Sequence, residues 1–403
     1  MLIYNLVLRF FHACIYLYSF INRKANLFVS GRQQSLKKLV LFQQQRNSEH
    51  PLYWFHCASL GEFEQARPLI ESLKLSQPKL QIAISFFSPS GYEIQHKYAQ
   101  ADVVFYLPMA TPRNSQRVIK LLNPNKIFFI KYEFWLNYIN AAYNSKIPVY
   151  LVSALFNSKQ IFFRWYGTLF FNILKKYKKI FVQDESSQLL LKQHGISSIV
   201  SGDTRFDRVL ANKEKATSNK LIEGFTEGKK LIVLGSSWPK EEEYMLNNYD
   251  STLNYKIIIA PHDIQRNLLL KGSIPFIKYS EANTDNILGK QLLIIDNIGM
   301  LSSLYSYANI AFVGGGFRGS LHNILEAAVF GIPVIYGSET QKHPEGEHLE
   351  AAGGGIKIEG DIQLRETIKV LLTDESISKK MGYNAEQFII RNSGATLKIL
   401  SEI

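Results

Sequence analysis

Residues Asn309–Gly337 read NIAFVGGGFRGSLHNILEAAVFGIPVIYG, and the fold follows from this stretch. Asn309 to Val313 are apolar enough for a buried strand. Gly314, Gly315 and Gly316 break that run, and the spacing predicts a helix capped by Ser320 and continuing to about Phe330. Gly331 and Pro333 end the helix, and Val334 and Ile335 begin another apolar strand. The result is a strand–turn–helix–strand unit with glycines where a strand hands over to a helix N-terminus. Backbone N–H groups and the positive end of the helix dipole converge there, which suits a phosphate.

The glycines admit two readings. Gly314, Gly316 and Gly319 fit G-x-G-x-x-G, the dinucleotide fingerprint, with Glu339 about twenty residues further on. The late position in the chain counts against it. The second reading uses His322, Asn323 and Glu326, which share one face of the expected helix. A carboxylate one turn inside a phosphate-binding helix is placed to accept hydrogen bonds from ribose hydroxyls. The plain alternative is a tight turn with Glu326 solvated.

Outside this stretch, 403 residues suggest two or three domains, at about 150 residues each. A chain that is 46% hydrophobic and 20% charged folds around sizeable cores. The net charge of +12 implies an anionic partner: nucleic acid, anionic lipid or a phosphorylated substrate. Basic residues are spread along the chain, which argues against a nucleic-acid-binding arm. Cys14 and Cys57 are the only cysteines, so a disulfide framework and a zinc-type cluster are excluded and a reducing compartment fits.

The N-terminal segment, Leu2 to Ile21, is mostly apolar. Asn5, Arg9, His12, Tyr16, Ser19 and Arg23 recur every three or four positions as a polar stripe. The stripe favours an amphipathic helix lying in a membrane surface over a spanning helix. Spanning would place Arg9 in hydrocarbon at about 2.5–3.5 kcal/mol on insertion scales. Residues 1–24 are therefore expected to be an anchoring helix, with Arg23, Lys24, Arg32, Lys37 and Lys38 against anionic headgroups.

Residues 50–210 alternate strand and helix, so a doubly wound parallel sheet is expected. Ligands in such sheets bind beyond the carboxyl ends of the strands. Ser59 to Glu62, Glu133 and Ser153 to Asn157 fall there. Ser59 and Glu62 have capping-box spacing, and Glu62 at the mouth of a crevice also suits a general base. A helix N-terminus stabilises its carboxylate, whereas desolvation restores basicity. Glu133 in KYEFW reads equally as a binding carboxylate or a surface residue. Lys159–Lys179 interleaves aromatic and basic residues, as expected of a long helix with a solvated lysine face or one that touches lipid headgroups.

A polar stretch, ANKEKATSNKLIEGFTEGKK, marks a domain boundary near residue 211. KLIVLGSSWPKEEE then repeats the strand, phosphate-accepting turn and helix start, and YKIIIAPHDI ends a strand at His262. The expected architecture is α/β, with two Rossmann-like domains, 25–210 and 211–403, and a cleft between them. The last helix is expected to return to the first domain.

Together, HCASLGEFEQARPLIESL, SPSGYE, KYEFWLN, SGDTRFD, GSSWPKEE, APHD and VGGGFRGSLHNILEAAVFGIPVIYG resemble the 3-deoxy-D-manno-octulosonic acid (Kdo) transferases of lipopolysaccharide synthesis. The resemblance implies the GT-B fold, inverting transfer of Kdo from CMP-Kdo to the lipid A precursor, no metal or other cofactor, and a place on the cytoplasmic face of the inner membrane. It makes Glu62 the catalytic base. Ser236, Ser237, His262, Gly315, Gly316, His322, Asn323 and Glu326 become donor contacts. Ser59, Gly61, Glu133, Lys159 and Arg205 become acceptor or phosphate contacts. This chain departs from the family where Lys131 replaces a second acidic residue, Leu136 a proline, Pro261 a basic residue, and Leu155, Phe156 and Asn157 an Arg-Leu-Ser element. The rival readings are a UDP-sugar transferase of the same fold, a nicotinamide-dependent oxidoreductase and a silent carbohydrate-binding protein.

Overall fold

The computed structural model describes residues 1–266 and 274–403. Apolar runs such as LYWFHC and YKIIIAP are buried along their whole length, as parallel strands covered on both faces must be. The first sheet holds β1 (Leu52–Cys57), β2 (Gln81–Phe86), β3 (Val103–Tyr106), β4 (Lys126–Ile130), β5 (Val149–Ala154), β6 (Lys179–Val182) and β7 (Ile199–Val200), in the order β3-β2-β1-β4-β5-β6-β7. The second holds β8 (Lys230–Ser237), β9 (Tyr255–Pro261), β10 (Phe276–Lys278), β11 (Leu292–Ile294), β12 (Ile310–Val313), β13 (Val334–Gly337) and β14 (Gly355–Ile358), in the order β10-β11-β9-β8-β12-β13-β14. Every pairing is parallel.

Both strand orders reverse direction at their first strand. In the first sheet the chain winds from β1 to β2 and β3, then crosses back to β4; in the second it winds outward from β8 and returns to β12. Such switch points open a crevice at the carboxyl ends of the two strands that flank them, because their connections run to opposite sides. The crevices fall at β1/β4 and at β8/β12, where His56 pairs Phe129 and Val313 pairs Gly235.

The chain divides into two compact units, Met1–Arg208 with Gly394–Ile403, and Val209–Ser393. The C-terminal segment is tied into the first unit by Asp207. Its carboxylate accepts the N–H of Gly394 and the N–H and hydroxyl of Thr396, each at 2.6 Å. Ile399 is fully buried in that unit's core beside Phe55, Phe63 and Phe128.

At the N-terminus the structure modifies two expectations. Helix α1 covers Leu2–Tyr18, and a second helix, α2 (Arg23–Gln45), follows at a bend of 120°. Among the described residues no single helix is long and apolar enough to cross a membrane. One side of α1 packs on the first unit: Tyr4 and Leu8 touch its core, Ile15 meets Phe28 and Val29, and Asn5 accepts a 2.7 Å hydrogen bond from Asn137. The other side leaves Leu2, Ile3, Leu6, Val7, Phe10 and Leu17 exposed.

Arg32 does not face solvent or headgroups as its sequence context suggested. It is buried against the Phe28 ring and donates to the carbonyls of Phe28 (2.8 Å) and Phe87 (2.5 Å). The basic–aromatic segment is likewise not one long helix. A short 3-10 turn at Ile161–Phe163 and a helix at Thr168–Leu174 are separated by Gly167, where a Cβ would stand 1.6 Å from the Ile161 carbonyl.

Arg32 donates charge-assisted bonds to two carbonyls, one of them on the strand-to-helix connection after β2. Its removal strands the Phe87 carbonyl. We expect Arg32→Met to lower the stability of the first unit by about 2–3 kcal/mol in urea unfolding, while Lys37→Met on the exposed face of α2 stays within about 0.5 kcal/mol.

Candidate functional site

At the first switch point, Ser59 occupies the cap position of helix α3 (Leu60–Ser76) in extended conformation, and its hydroxyl makes no capping bond. The expected capping box is replaced by a related contact: the Glu62 carboxylate returns past the cap to accept the N–H of Ala58. Gly61 needs no special space, since a Cβ there would meet only the Ser59 hydroxyl, at 4.0 Å. Burial, and then the charge of Glu133, push the Glu62 pKa up to about 8, against the lowering effects of the Ala58 N–H, Lys131 and the Ser59 N–H. A half-buried carboxyl of this kind can take a proton near neutral pH.

Glu133 is not a surface residue. It follows β4, is 8% exposed, and accepts hydrogen bonds from Trp135 Nε1 and, at 2.9 Å, from His56 Nε2. His56 lies inside β1, with Nδ1 2.8 Å from Ser85 Oγ, which also takes the Trp54 indole N–H at 2.8 Å. Trp54 can only donate, so the assignment that satisfies every group has Ser85 give its proton to His56 Nδ1 and His56 donate from Nε2. Sequence reasoning missed His56, Ser85 and Trp54; the signal was a histidine inside an otherwise apolar strand.

Lys131 sits between these elements with φ +63°, in the left-handed region. Ser153, within β5, has φ +56°, and Ser236, at the end of β8, has φ +51°. Non-glycine residues held there carry strain of about 1–3 kcal/mol, and such strain clusters at functional sites. Lys159 lies exposed in the loop after β5, where its backbone N–H bonds Asn157 at 3.0 Å. Arg205 is not an open phosphate ligand: Asp203 holds its guanidinium at 2.7–2.8 Å and accepts a further bond from Gln65 at 3.1 Å.

At the second switch point the expected helix from Ser320 to Phe330 does not form. Ser320 N–H returns to the Gly315 carbonyl and His322 N–H to that of Gly314, so the chain stays in a closed loop. Helix begins only at Leu325 and runs to Ala328. His322, Asn323 and Glu326 therefore do not share a helix face, although Asn323 Nδ2 donates to Glu326 at 3.0 Å.

The glycines serve close approach of backbones. A Cβ on Gly314 would lie 2.3 Å from the Ser236 carbonyl, and one on Gly316 would lie 2.5 Å from Gly337 N. Gly315 has φ +88°, and its N–H is already taken at 2.8 Å by the buried carboxylate of Glu241. Thus Gly315 does not turn that N–H toward a ligand, contrary to the phosphate-cradle expectation. Ser237 is similarly committed: its hydroxyl donates to Glu242 at 2.7 Å.

What remains open at this end is aromatic and cationic. The Trp238 ring stacks on His262 at 4.7 Å and donates from Nε1 to His322 Nε2 at 3.2 Å; the two imidazoles stack at 4.5 Å. The exposed Arg318 guanidinium covers the Trp238 ring at 3.9 Å. Burial, then the neighbouring His262 and His343, lower the His322 pKa to about 4, so it is neutral at pH 7. Glu241, Trp238 and Arg318 were not singled out from sequence. A glutamate three residues after Trp238 was the available sign.

Two Rossmann-like domains, each with polar side chains gathered at its switch point, make up the chain, and comparison with known proteins narrows its class. Residues 33–208 match the family described as 3-Deoxy-D-manno-octulosonic-acid transferase (kdotransferase). A 3-deoxy-D-manno-octulosonic acid transferase of Rickettsia prowazekii is 28% identical over 89% of this chain and 80% of its own length. That of Aquifex aeolicus is 28% identical over 84% and 90%. The chain is a glycosyltransferase, similar over most of its length to Kdo transferases. In fold it is similar to the UDP-GlcNAc 2-epimerase of Neisseria meningitidis, with a TM-score of 0.59 at 17% identity over 87% of this chain and 98% of that one. That likeness concerns architecture alone, since one fold hosts several chemistries.

Two outcomes follow from this geometry. Gly316→Ala should destabilise the second unit by at least about 2 kcal/mol through overpacking, read by thermal unfolding, while Gly61→Ala should leave the first unit's melting unchanged. The raised Glu62 pKa makes the folded state bind the extra proton, so its contribution is full below about pH 4.5 and is lost as pH rises through about 8. Between those limits wild type should lose on the order of 2 kcal/mol relative to Glu62→Gln, given the partial exposure of the group.

Proposed function

We propose that the chain transfers Kdo from CMP-Kdo to a hydroxyl of the lipid A precursor, with inversion and Glu62 as the general base. The observation that carries this reading is Glu62 itself. It is a half-buried carboxyl with a pKa near 8, at the first switch point, inside the segment matched to the family. Glu62 takes the proton of the acceptor hydroxyl as its oxygen bonds to the anomeric carbon of Kdo. The bond from that carbon to the CMP phosphate breaks, and CMP leaves with the electron pair. Negative charge collects on the departing phosphate, so the reaction needs a fixed cation near it. Arg318 over Trp238 supplies one at the lip of the glycine turn, with His262 and His322 beside it. Asn323 and Glu326 are assigned to the ribose hydroxyls. Lys131, Lys159 and Ser59 are assigned to acceptor phosphates or hydroxyls, and Glu133 to ordering His56 and Trp135 near the base.

We further propose that the protein works at the cytoplasmic face of the inner membrane. The exposed side chains of Leu2, Ile3, Leu6, Val7 and Phe10, on a helix whose opposite side is packed on the first unit, support an in-plane anchor. Exposed Trp165 and Tyr166 add amphipathic rings of the sort found at headgroup level. Nucleic acid is not among the proposed partners.

The test supplies CMP-Kdo generated in situ with a tetra-acylated lipid A precursor and counts products by mass. Glu62→Gln should lose about 10²–10⁴ in turnover, and wild-type kcat/KM should rise with pH toward a plateau above about 8. Undiminished transfer by the variant would remove Glu62 from the mechanism. In thermal unfolding, CMP should protect the protein and UDP should not; the reverse would favour a UDP-sugar donor. Replacing Val7 and Phe10 by glutamate should release the protein from anionic vesicles in a sedimentation assay.

A further inference from the structure

A cavity of about 460 Å³ lies within the first unit, inside the size range of small-molecule sites. Its walls come from three separate elements: Tyr4 and Leu8 of α1, Phe134 and Trp135 after β4, and Phe162 and Phe170 from the aromatic segment after β5. Tyr132, Glu133 and Gln160 also line it, and the rest of the wall is apolar. Over that apolar wall a sugar, nucleotide or phosphate would lose its water without gaining hydrogen bonds, whereas a hydrocarbon chain loses nothing.

The lining ties the cavity to two neighbourhoods. Glu133 and Tyr132 line it, and both interact electrostatically with Glu62. Its other walls belong to elements that also carry exposed apolar surface: α1 with Leu6, Val7 and Phe10, and the segment bearing Trp165 and Tyr166. The α1 wall is fixed in place, because Asn5 is bonded to Asn137 beside the loop that carries Trp135. The cavity therefore draws its walls both from the elements of the proposed membrane face and from the loop that carries Glu133.

We propose that this cavity receives one acyl chain of the lipid acceptor and thereby sets the acceptor's sugar hydroxyl at Glu62. The assignment rests on the transferase reading above and adds to it the group by which the first unit recognises its acceptor. It also accounts for an apolar wall close to a buried, hydrogen-bonded carboxylate: the chain carrying the lipid fills the wall, and the polar end meets the headgroup.

The test uses full-length protein in detergent and two acceptors, the tetra-acylated precursor and its fully deacylated disaccharide bisphosphate. Leu8→Trp fills the cavity from α1, and Leu189→Trp on an exposed helix is the control. Leu8→Trp should raise KM for the acylated acceptor about tenfold, with no rise for the deacylated acceptor and an unchanged KM for CMP-Kdo. An unchanged KM for the acylated acceptor, or the same rise with both acceptors, would overturn the proposal. So would a Leu8→Trp effect seen only as weaker sedimentation with phosphatidylglycerol vesicles, which would make the occupant a membrane lipid. A second measurement does not depend on turnover. In a Trp165→Phe background, dibrominated stearic acid should quench tryptophan fluorescence saturably, and the added change Trp135→Phe should remove that quenching. Quenching without Kdo transfer by wild type would refute the transferase reading while leaving the acyl cavity standing; transfer without quenching would do the opposite.

Discussion

Both switch points depend on a carboxylate bent back onto the backbone at the head of the helix that follows the central strand. Glu62 stands at the third helical position after β1 and accepts the Ala58 N–H. Glu241 stands at the same position after β8 and accepts the Trp238 N–H at 3.2 Å. In each unit this contact closes the helix start against the strand end and fixes the mouth of the crevice. Local geometry is shared, yet the chemical consequences differ.

The difference comes from what the neighbouring strand delivers. Beside Glu241, β12 ends in a glycine turn whose Gly315 N–H points at the carboxylate, so that a fully buried acid becomes a clamp between two strands. Burial raises its pKa and three backbone N–H bonds oppose the rise. Beside Glu62, β4 ends in a loop that delivers a second acid, Glu133, whose effect on Glu62 outweighs that of Lys131 in the same loop. Like charge adds to desolvation, and the proton affinity climbs into the range a general base needs. One carboxylate holds the second unit's turn together, and the other is left with a raised proton affinity.

The same contrast explains what was legible in the sequence. Strands were legible because parallel strands buried on two faces are unbroken apolar runs, and the alternation with helices left little freedom in topology. The helix expected from Ser320 failed because its residues find better backbone partners at Gly314 and Gly315 than along a helix. The long helix over Lys159–Lys179 failed because Gly167 folds the chain tightly onto Ile161. Arg32 looked like a headgroup ligand because nothing near it in sequence reveals the Phe87 carbonyl, which is 55 positions away. His56 is hidden for a related reason: its partners Ser85, on β2, and Glu133, in the loop after β4, are distant in sequence.

By itself, the sequence determined where the strands end, and hence that Glu62 and the Gly314–Gly316 turn lie at crevice mouths. Those are consequences of local patterning: apolar runs, breakers and a glutamate three residues into a helix. Only the tertiary structure decided what each group is free to do. It gave the Gly315 N–H to Glu241, the Ser237 hydroxyl to Glu242 and the Arg205 guanidinium to Asp203, and it left Glu62 half-buried beside Glu133. Hydrogen-bond commitments and desolvation depend on residues brought together from distant strands, and a one-dimensional pattern carries no record of those meetings.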